Sequence, residues 1–330
     1  MNSFGRIFRV GIFGESHGCC TGVCVDGCPP GIALSESDFE DDLRRRRSGE
    51  KGTTPRREAD LPRIVSGVFN GFTTGSPIVV EIANNDTAAK DYALFRDIPR
   101  PGHADFTAEK KYGGYADFRG SGHFSGRLTA GLVAAGVIAK KIIAPAAVES
   151  RILEIGGSAD WKEIIERCLT ERDSAGGIVE CTISGAPAGW GEPFFDSVES
   201  VIAHIVYAVP AVKGIEFGAG FAAARMYGSE HNDAFEGQEG ATVTNHAGGV
   251  NGGITNGNPI VFRVAVKPTS SIARPQTTAN IRTGATVTLE IPGRHDACIA
   301  LRIPPVLEAA AAIAIADLKM IYRAEPQKKI

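Results

Sequence analysis

The chain predicts an α+β fold in which helices are covered by sheets, and three observations carry that prediction. Segments 127–143, 197–209 and 304–322 repeat apolar residues at helical spacing. Their other faces carry small residues, as at Ala130, Gly131, Ala134, Ala135 and Gly136, so such a helix expects neighbours on more than one side. Strand-like segments at 177–184, 214–221, 260–267 and 285–291 flank these helices and supply the cover.

Taken in order, residues 7–12 alternate as a strand and run into the loop Phe13-Gly14-Glu15-Ser16-His17-Gly18-Cys19. A second strand over 21–26 stops at Cys28-Pro29-Pro30-Gly31. Ser35-Glu36-Ser37-Asp38 is an approximate capping box for a helix that closes on Arg44-Arg45-Arg46-Arg47. Segments 64–69 and 76–82, with Gly71 and Gly75 between them, predict a hairpin. Residues 84–115 show little periodicity, and an unstructured connection of that length is expected to be functional or to cover a site. The helix over 127–143 ends before Pro145. The glycine- and asparagine-rich stretch 248–257 has free backbone N–H groups able to wrap a ligand, without the context of a dinucleotide-binding turn.

Composition narrows the function. The 330 residues are 43% hydrophobic with net charge −3, which fits a globular protein and gives no global field for a polyanion such as nucleic acid. The arginines at 44–47, with Arg56 and Arg57, instead predict a local anion site. Seven cysteines, an odd number gathered mostly at one end, predict reduced thiols. Cys20, Cys24 and Cys28 fall along a strand and its end, which does not gather ligands on one ion, so no metal is expected. The apolar runs at 128–139 and 309–316 fall short of the roughly 20 residues a membrane span needs. No secretory signal is visible, so the expected location is the cytoplasm.

Four glycine-flanked polar islands lie far apart in the chain: 14–18, 100–105, 120–127 and 293–296. Each carries groups suited to holding or protonating an anion, and Lys267-Pro268-Thr269-Ser270-Ser271 adds hydroxyls at a strand end. Two rival readings attach to parts of this pattern. Gly14-Glu15-Ser16-His17-Gly18 satisfies the G-x-S-x-G elbow of a serine hydrolase, but a strand rather than a helix follows it. The arginines at 44–47 suit a non-catalytic anion- or RNA-binding module, but no stacking aromatics accompany them.

The islands closely resemble the signatures of the chorismate synthase family: Gly14-Glu15-Ser16-His17-Gly18 with Val25-Asp26-Gly27, Arg100-Pro101-Gly102-His103-Ala104-Asp105, Gly122-His123-Phe124-Ser125-Gly126-Arg127, and Gly293-Arg294-His295-Asp296. The resemblance runs from Phe4 to about Asp317 and implies a single domain over 1–330, with helices packed in a β-α-β sandwich between antiparallel sheets. It further implies a homotetrameric lyase that converts 5-enolpyruvylshikimate 3-phosphate to chorismate and phosphate by 1,4-anti elimination, the last step of the shikimate pathway. The reaction needs reduced FMN without net redox change. NADPH on this chain, or a separate flavin reductase, would supply the reducing equivalents; the bacterial length of the chain favours the reductase.

By similarity, His17 protonates the departing phosphate, His103 protonates the reduced flavin and Asp296 assists proton removal. His123, Phe124, Ser125, Ala211, Gly252, Lys267, Pro268, Thr269, Ser270, Ser271 and Arg294 would bind FMN. Arg46, Arg100 and Arg127 would hold substrate or NADP anions, with Lys51 standing in for an arginine common in relatives. The chain departs from the family at His123 and Phe124, where arginine and serine are commoner, and at Pro210, where asparagine is. Asp105 is expected to orient a neighbouring histidine.

Overall fold

The computed structural model describes residues 2–87, 89–237, 240–291 and 295–324. Strands β1 (Ser3–Phe4), β2 (Arg9–Gly14), β3 (Cys20–Asp26), β4 (Pro62–Ser66) and β5 (Ile78–Ala83) form an antiparallel sheet in the order β1-β2-β3-β5-β4. A second antiparallel sheet contains β6 (Ala147–Ile155), β7 (Gly177–Ser184), β8 (Val212–Phe217) and β9 (Ile260–Val266) in the order β8-β9-β7-β6. Alternation sets the inner face of β9, where Ile260, Phe262, Val264 and Val266 are buried and the residues between them are not.

The helices are α1 (Glu40–Arg46), α2 (Asp105–Tyr112), α3 (Thr129–Ile143), α4 (Lys162–Glu171), α5 (Val198–Val206), the single turn α6 (Gly228–His231) and α7 (Pro304–Ala324). Helix α3 lies on the first sheet, α7 lies on the second, and the two helices pack on each other. Small residues make this possible. A Cβ on Gly131 would stand 2.7 Å from the Gly22 carbonyl oxygen of β3, and one on Gly136 would stand 2.3 Å from Ala309 Cβ of α7. Ala309 to Ala312 are buried for the same reason, and the expectation of helices covered by sheets holds.

Two buried carboxylates of α7 fix its surroundings. Asp317 accepts the backbone N–H groups of Arg6, Ile7 and Phe8 at 2.8–2.9 Å, which anchors the segment entering β2. Glu308 accepts from Arg45 of α1 (2.6 and 2.7 Å), Lys140 of α3 (3.0 Å) and Ser150 of β6 (2.9 Å). Burial pushes the Glu308 carboxyl up, but Arg45 and Lys140 outweigh it and hold the group below its usual range.

Several boundaries differ from the sequence reading. The hairpin expected over 64–82 carries at its tip a smaller one, Val68–Phe69 with Phe72–Thr73. Residues 84–115 contain a 3-10 helix, Ala89–Arg96, and α2; both are too weakly amphipathic to announce themselves. Strand β8 ends at Phe217, where Gly220–Arg225 turns as a 3-10 helix, and residues 285–291 supply only the short strand Thr286–Leu289. The segment at 248–257 is a two-residue-per-strand hairpin, Val250–Asn251 with Ile254–Thr255.

Alanine is the better helix former than glycine by about 1 kcal/mol. Gly136→Ala should nevertheless destabilise the protein by about 1–3 kcal/mol, because overpacking at the α3–α7 contact dominates. Chemical denaturation of the two proteins checks the sign.

Candidate active site

A cavity of about 660 Å³ opens where the N-terminal ends of α3 and α7 meet the loops of both sheets. Its wall takes Ser16 from the β2–β3 loop, Arg46 and Arg47 from the end of α1, and Arg100 to Ala104 from the segment before α2. Gly120–Arg127, Tyr207–Lys213, Lys267–Ser271 and His295–Asp296 complete it, so residues remote in sequence converge on one space. Among the described residues, eight cationic side chains line it (Arg46, Arg47, Arg56, Arg100, Arg127, Lys213, Lys267, Arg302) against three carboxylates (Glu58, Asp60, Asp296). Two helix N-termini add further positive potential. The space is built for anions.

Asp60 organises one side of it. The residue is buried with φ +46, a left-handed backbone, and its oxygens accept from Arg46 Nη2 at 3.2 Å and from Arg127 Nη1. Burial raises its carboxyl, but Arg46 and Arg127 more than compensate and hold it below the ordinary range. Arg127 also donates to Asn84 Oδ1 (2.8 Å) and the Ala83 carbonyl (3.1 Å), so its guanidinium is largely committed to the protein. Arg46 gives Nη1 to Thr129 Oγ1 at 3.3 Å, while its buried Nε has no partner among the described residues. Burial, with Arg302 and Arg127 nearby, weighs against its charge and Asp60 for it, and a guanidinium stays protonated. The buried Nε of Arg47 and Oγ1 of Thr269 also lack partners among the described residues.

His103 anchors the other side. Its Nδ1 lies 2.8 Å from Asp105 Oδ1, and its Nε2 lies 3.2 Å from Ser121 Oγ. Arg100 is buried, forks onto Asp105 at 2.7 and 2.8 Å, donates to Ser271 Oγ and Ser121 Oγ at 3.0 Å each, and stacks 4.4 Å from the Phe95 ring. Arg100, expected to hold a substrate anion, lines the cavity and spends these donors on orienting Asp105 and His103. Burial holds His103 below its ordinary pKa, opposed by Asp105 and aided by Arg100 and Lys267. The Asp105 carboxyl is driven far down by Arg100 and His103 in spite of burial.

His17 sits one layer behind the wall. Its ring meets Tyr92 edge-on at 5.2 Å, and a Cβ on Gly120 would stand 2.6 Å from its Nε2; both Tyr92 and Gly120 line the cavity. Only glycine, here at φ +54, lets the chain pass so close to that ring. Ser16 Oγ accepts from Arg56 Nη1 at 2.9 Å, and Arg56 also bonds Glu58, so the hydroxyl faces a cation instead of a base and the hydrolase reading loses its nucleophile. Asp296 Oδ1 accepts from the Thr54 N–H at 2.9 Å and from Arg302 at 3.4 Å.

The remaining expected contacts divide. Ala211 lines the cavity at φ +76, and its carbonyl accepts from the Lys267 N–H. Lys267 Nζ and Ser270 Oγ fasten to the Gly102 carbonyl at 2.6 and 2.8 Å, tying the β9 exit to the His103 loop. Pro268, Thr269 and Ser271 line the same wall with Phe124. His123 spends its ring on Gly14 O (2.9 Å) and Asn2 Oδ1 (3.2 Å), while Ser125 Oγ caps the turn leading into α3 by accepting the Arg127 N–H. Two expected contacts fall outside the cavity lining: Lys51 is exposed and paired with Glu166 of α4, and Gly252 is exposed at its hairpin turn. Arg294 lies outside the described residues. Sequence reasoning did not single out Asp60, Arg302 or Ser121; a lone acid or serine in a loop gives no pattern.

Because the Asp60 and Asp105 carboxyls are depressed, their stabilisation is complete above the unfolded carboxylate value and is lost as pH falls through their lower folded values. Asp60→Asn should cost about 3 kcal/mol at pH 7. That deficit should persist at pH 5 and shrink below about pH 4, as measured by denaturation of both proteins across pH.

Comparison with known proteins identifies the family. The family described as Chorismate synthase matches residues 8–320. A chorismate synthase of Chitinophaga pinensis is 61% identical over 322 residues, covering 97% of both chains, and one of Dehalococcoides mccartyi is 44% identical, covering 97% of this chain and 96% of its own. A solved structure, a crystal structure of chorismate synthase, superposes with a TM-score of 0.75 at 28% identity over 96% of this chain and 93% of its own. With these similarities over nearly its whole length, the chain belongs to the chorismate synthase family.

Proposed function

We propose that this cavity eliminates phosphate from 5-enolpyruvylshikimate 3-phosphate to give chorismate, a carbon–oxygen lyase reaction, with reduced FMN bound beside the substrate. The observation that carries the reading is one cationic cavity whose wall includes His103 and Asp296, with His17 directly behind it and with buried donors that lack acceptors among the described residues. Those donors fit the ligands. Arg46 and Arg47 suit a phosphate or carboxylate, and Thr269 with the Lys267–Ser271 loop suits the phosphate and ring edge of a flavin. When bound and reduced, the flavin supplies electron density to the ring that loses its ester.

The chain's own groups supply charge and protons. Arg46, Arg47 and Arg56 neutralise the substrate's anions and hold the ring in register. His17 passes a proton to the departing oxygen, which lowers the cost of breaking the C–O bond. Burial holds His103 below its ordinary pKa, and negative charge entering the cavity opposes that shift and favours the imidazolium that can donate from Nε2. Asp296, fixed by Thr54 and Arg302, takes part in removing the ring proton from the opposite face.

Reducing equivalents come from a separate flavin reductase in this reading, because Lys51 is turned to Glu166 outside the cavity lining, leaving a nicotinamide nucleotide poorly served. A homotetramer suits the surface, where Phe194, Phe195, Phe221, Tyr227 and Phe235 are all at least 75% exposed. Seven free thiols suit the cytoplasm.

An anaerobic assay with reduced FMN, following chorismate absorbance, should show turnover by the unaltered protein and a loss of about 10²–10⁴ in kcat for His17→Ala and His103→Ala. Absence of chorismate from the unaltered protein overturns the reading. NADPH with oxidised FMN should leave the flavin unbleached in the presence of this chain alone, whereas adding a flavin reductase should start turnover.

A further inference from the structure

Residues 120–122 form three successive left-handed positions, and the middle one is not glycine: Ser121 has φ +69 and ψ +11 between Gly120 at φ +54 and Gly122 at φ +51. Glycine would adopt this backbone freely, whereas serine is strained in it. What the strain secures is the place of one hydroxyl. Ser121 Oγ accepts from Arg100 Nη2 at 3.0 Å and lies 3.2 Å from His103 Nε2, at the cavity wall.

His103 Nδ1 lies 2.8 Å from Asp105 Oδ1 and 3.1 Å from Arg100 Nη2, and the shorter contact, to an acceptor, sets the assignment of the hydrogen bonds around this hydroxyl. Arg100 can only donate, so Oγ accepts from it and the hydroxyl proton is free to point at Nε2. Nε2 then accepts, which puts the ring proton on Nδ1, where Asp105 Oδ1 receives it at 2.8 Å. Charged groups face the imidazole from several elements. Arg100 and Asp105 come from its own segment and α2, Lys267 comes from the exit of β9, and Arg96, Glu109 and Asp117 line the small void behind it. Among these neighbours, Ser121 is the one whose hydroxyl meets Nε2.

We infer that Ser121 is a positioning residue for His103, its hydroxyl held between Arg100 and Nε2 so that the ring keeps one proton on Asp105 and exchanges the other at Nε2. The inference rests on the proposed role of His103 in the elimination. When the imidazole is protonated, the same hydroxyl rotates to accept from Nε2–H and its own proton turns into the cavity. Proton transfer then runs from Nε2 to Oγ as Oγ gives its proton to the acceptor, leaving neutral imidazole and an intact hydroxyl, with one proton moved and no change in oxidation state.

The test uses Ser121→Gly, which relieves the backbone while deleting the hydroxyl, beside Ser121→Ala. Spectra of the ligand-free protein labelled with ¹⁵N-histidine should show His103 as the Nδ1–H tautomer. Both variants should weaken that preference, which Asp105 alone then holds, and the pKa of His103 should move because the hydroxyl no longer bonds either form of the ring. In the anaerobic assay kcat should fall about ten- to hundredfold with KM within about twofold, while the melting temperature of Ser121→Gly is not lowered. An unchanged tautomer and pKa in Ser121→Gly overturn the inference, as does a loss of activity that tracks a loss of thermal stability. If the unaltered protein makes no chorismate, the reading of the reaction fails, and the spectra still report separately whether Ser121 sets the ring.

Discussion

The close approach of α3 and α7 is the constraint on which the site depends. Gly136 against Ala309 lets the helices touch with both N-terminal ends at the same cavity, and Gly131 against Gly22 seats α3 on the first sheet. A single methyl at either contact pushes apart the surfaces that carry Arg127 and Thr129 on one side and Ile303 and Val306 on the other. Packing at the centre and anion binding at the rim are therefore one problem. Glu308 and Asp317, both buried in α7, tie that helix to α1, α3, β6 and the N-terminal segment, so displacement of α7 would disturb every wall of the cavity.

Within the cavity, arginines divide into two kinds. Arg100 and Arg127 spend most of their donors on Asp105, Ser271, Asp60 and Asn84, and act as rigid beams. Arg46 and Arg47 keep buried Nε groups without described partners, and these are the ones with capacity left for a ligand. Each carboxylate beside them steadies arginines without cancelling the excess of cations. That excess lets a phosphate and two carboxylates enter a shared, half-enclosed space.

Much of this was legible in the sequence because the informative residues come in glycine-flanked clusters. His17, His103 and Asp296 stood out as titratable groups in such clusters, and alanine-rich helices declared their own burial. What stayed hidden was what each side chain spends its hydrogen bonds on. Arg100 looks the same in sequence whether it grips a carboxylate of the protein or of a ligand, and Lys51 gives no sign that Glu166, far along the chain, will claim it. Asp60 and Ser121 were invisible for another reason: their importance comes from a left-handed backbone that only the surrounding structure imposes. The stretch over 84–115 lines part of the cavity and, unlike the unstructured connection expected, carries two short helices, since short helices packed on a polar cavity have little apolar periodicity to show.

The cavity draws its wall from Ser16 at one extreme and Val306 at the other, with contributions from loops of both sheets and from α1, α3 and α7. Residues between Ser16 and Thr129 supply one part of the wall and residues between Tyr207 and Val306 the rest, so neither half of the chain encloses the cavity alone. Competence for chemistry is thus the last property the polypeptide acquires as it folds, and appearance of activity during renaturation marks completion of the entire architecture.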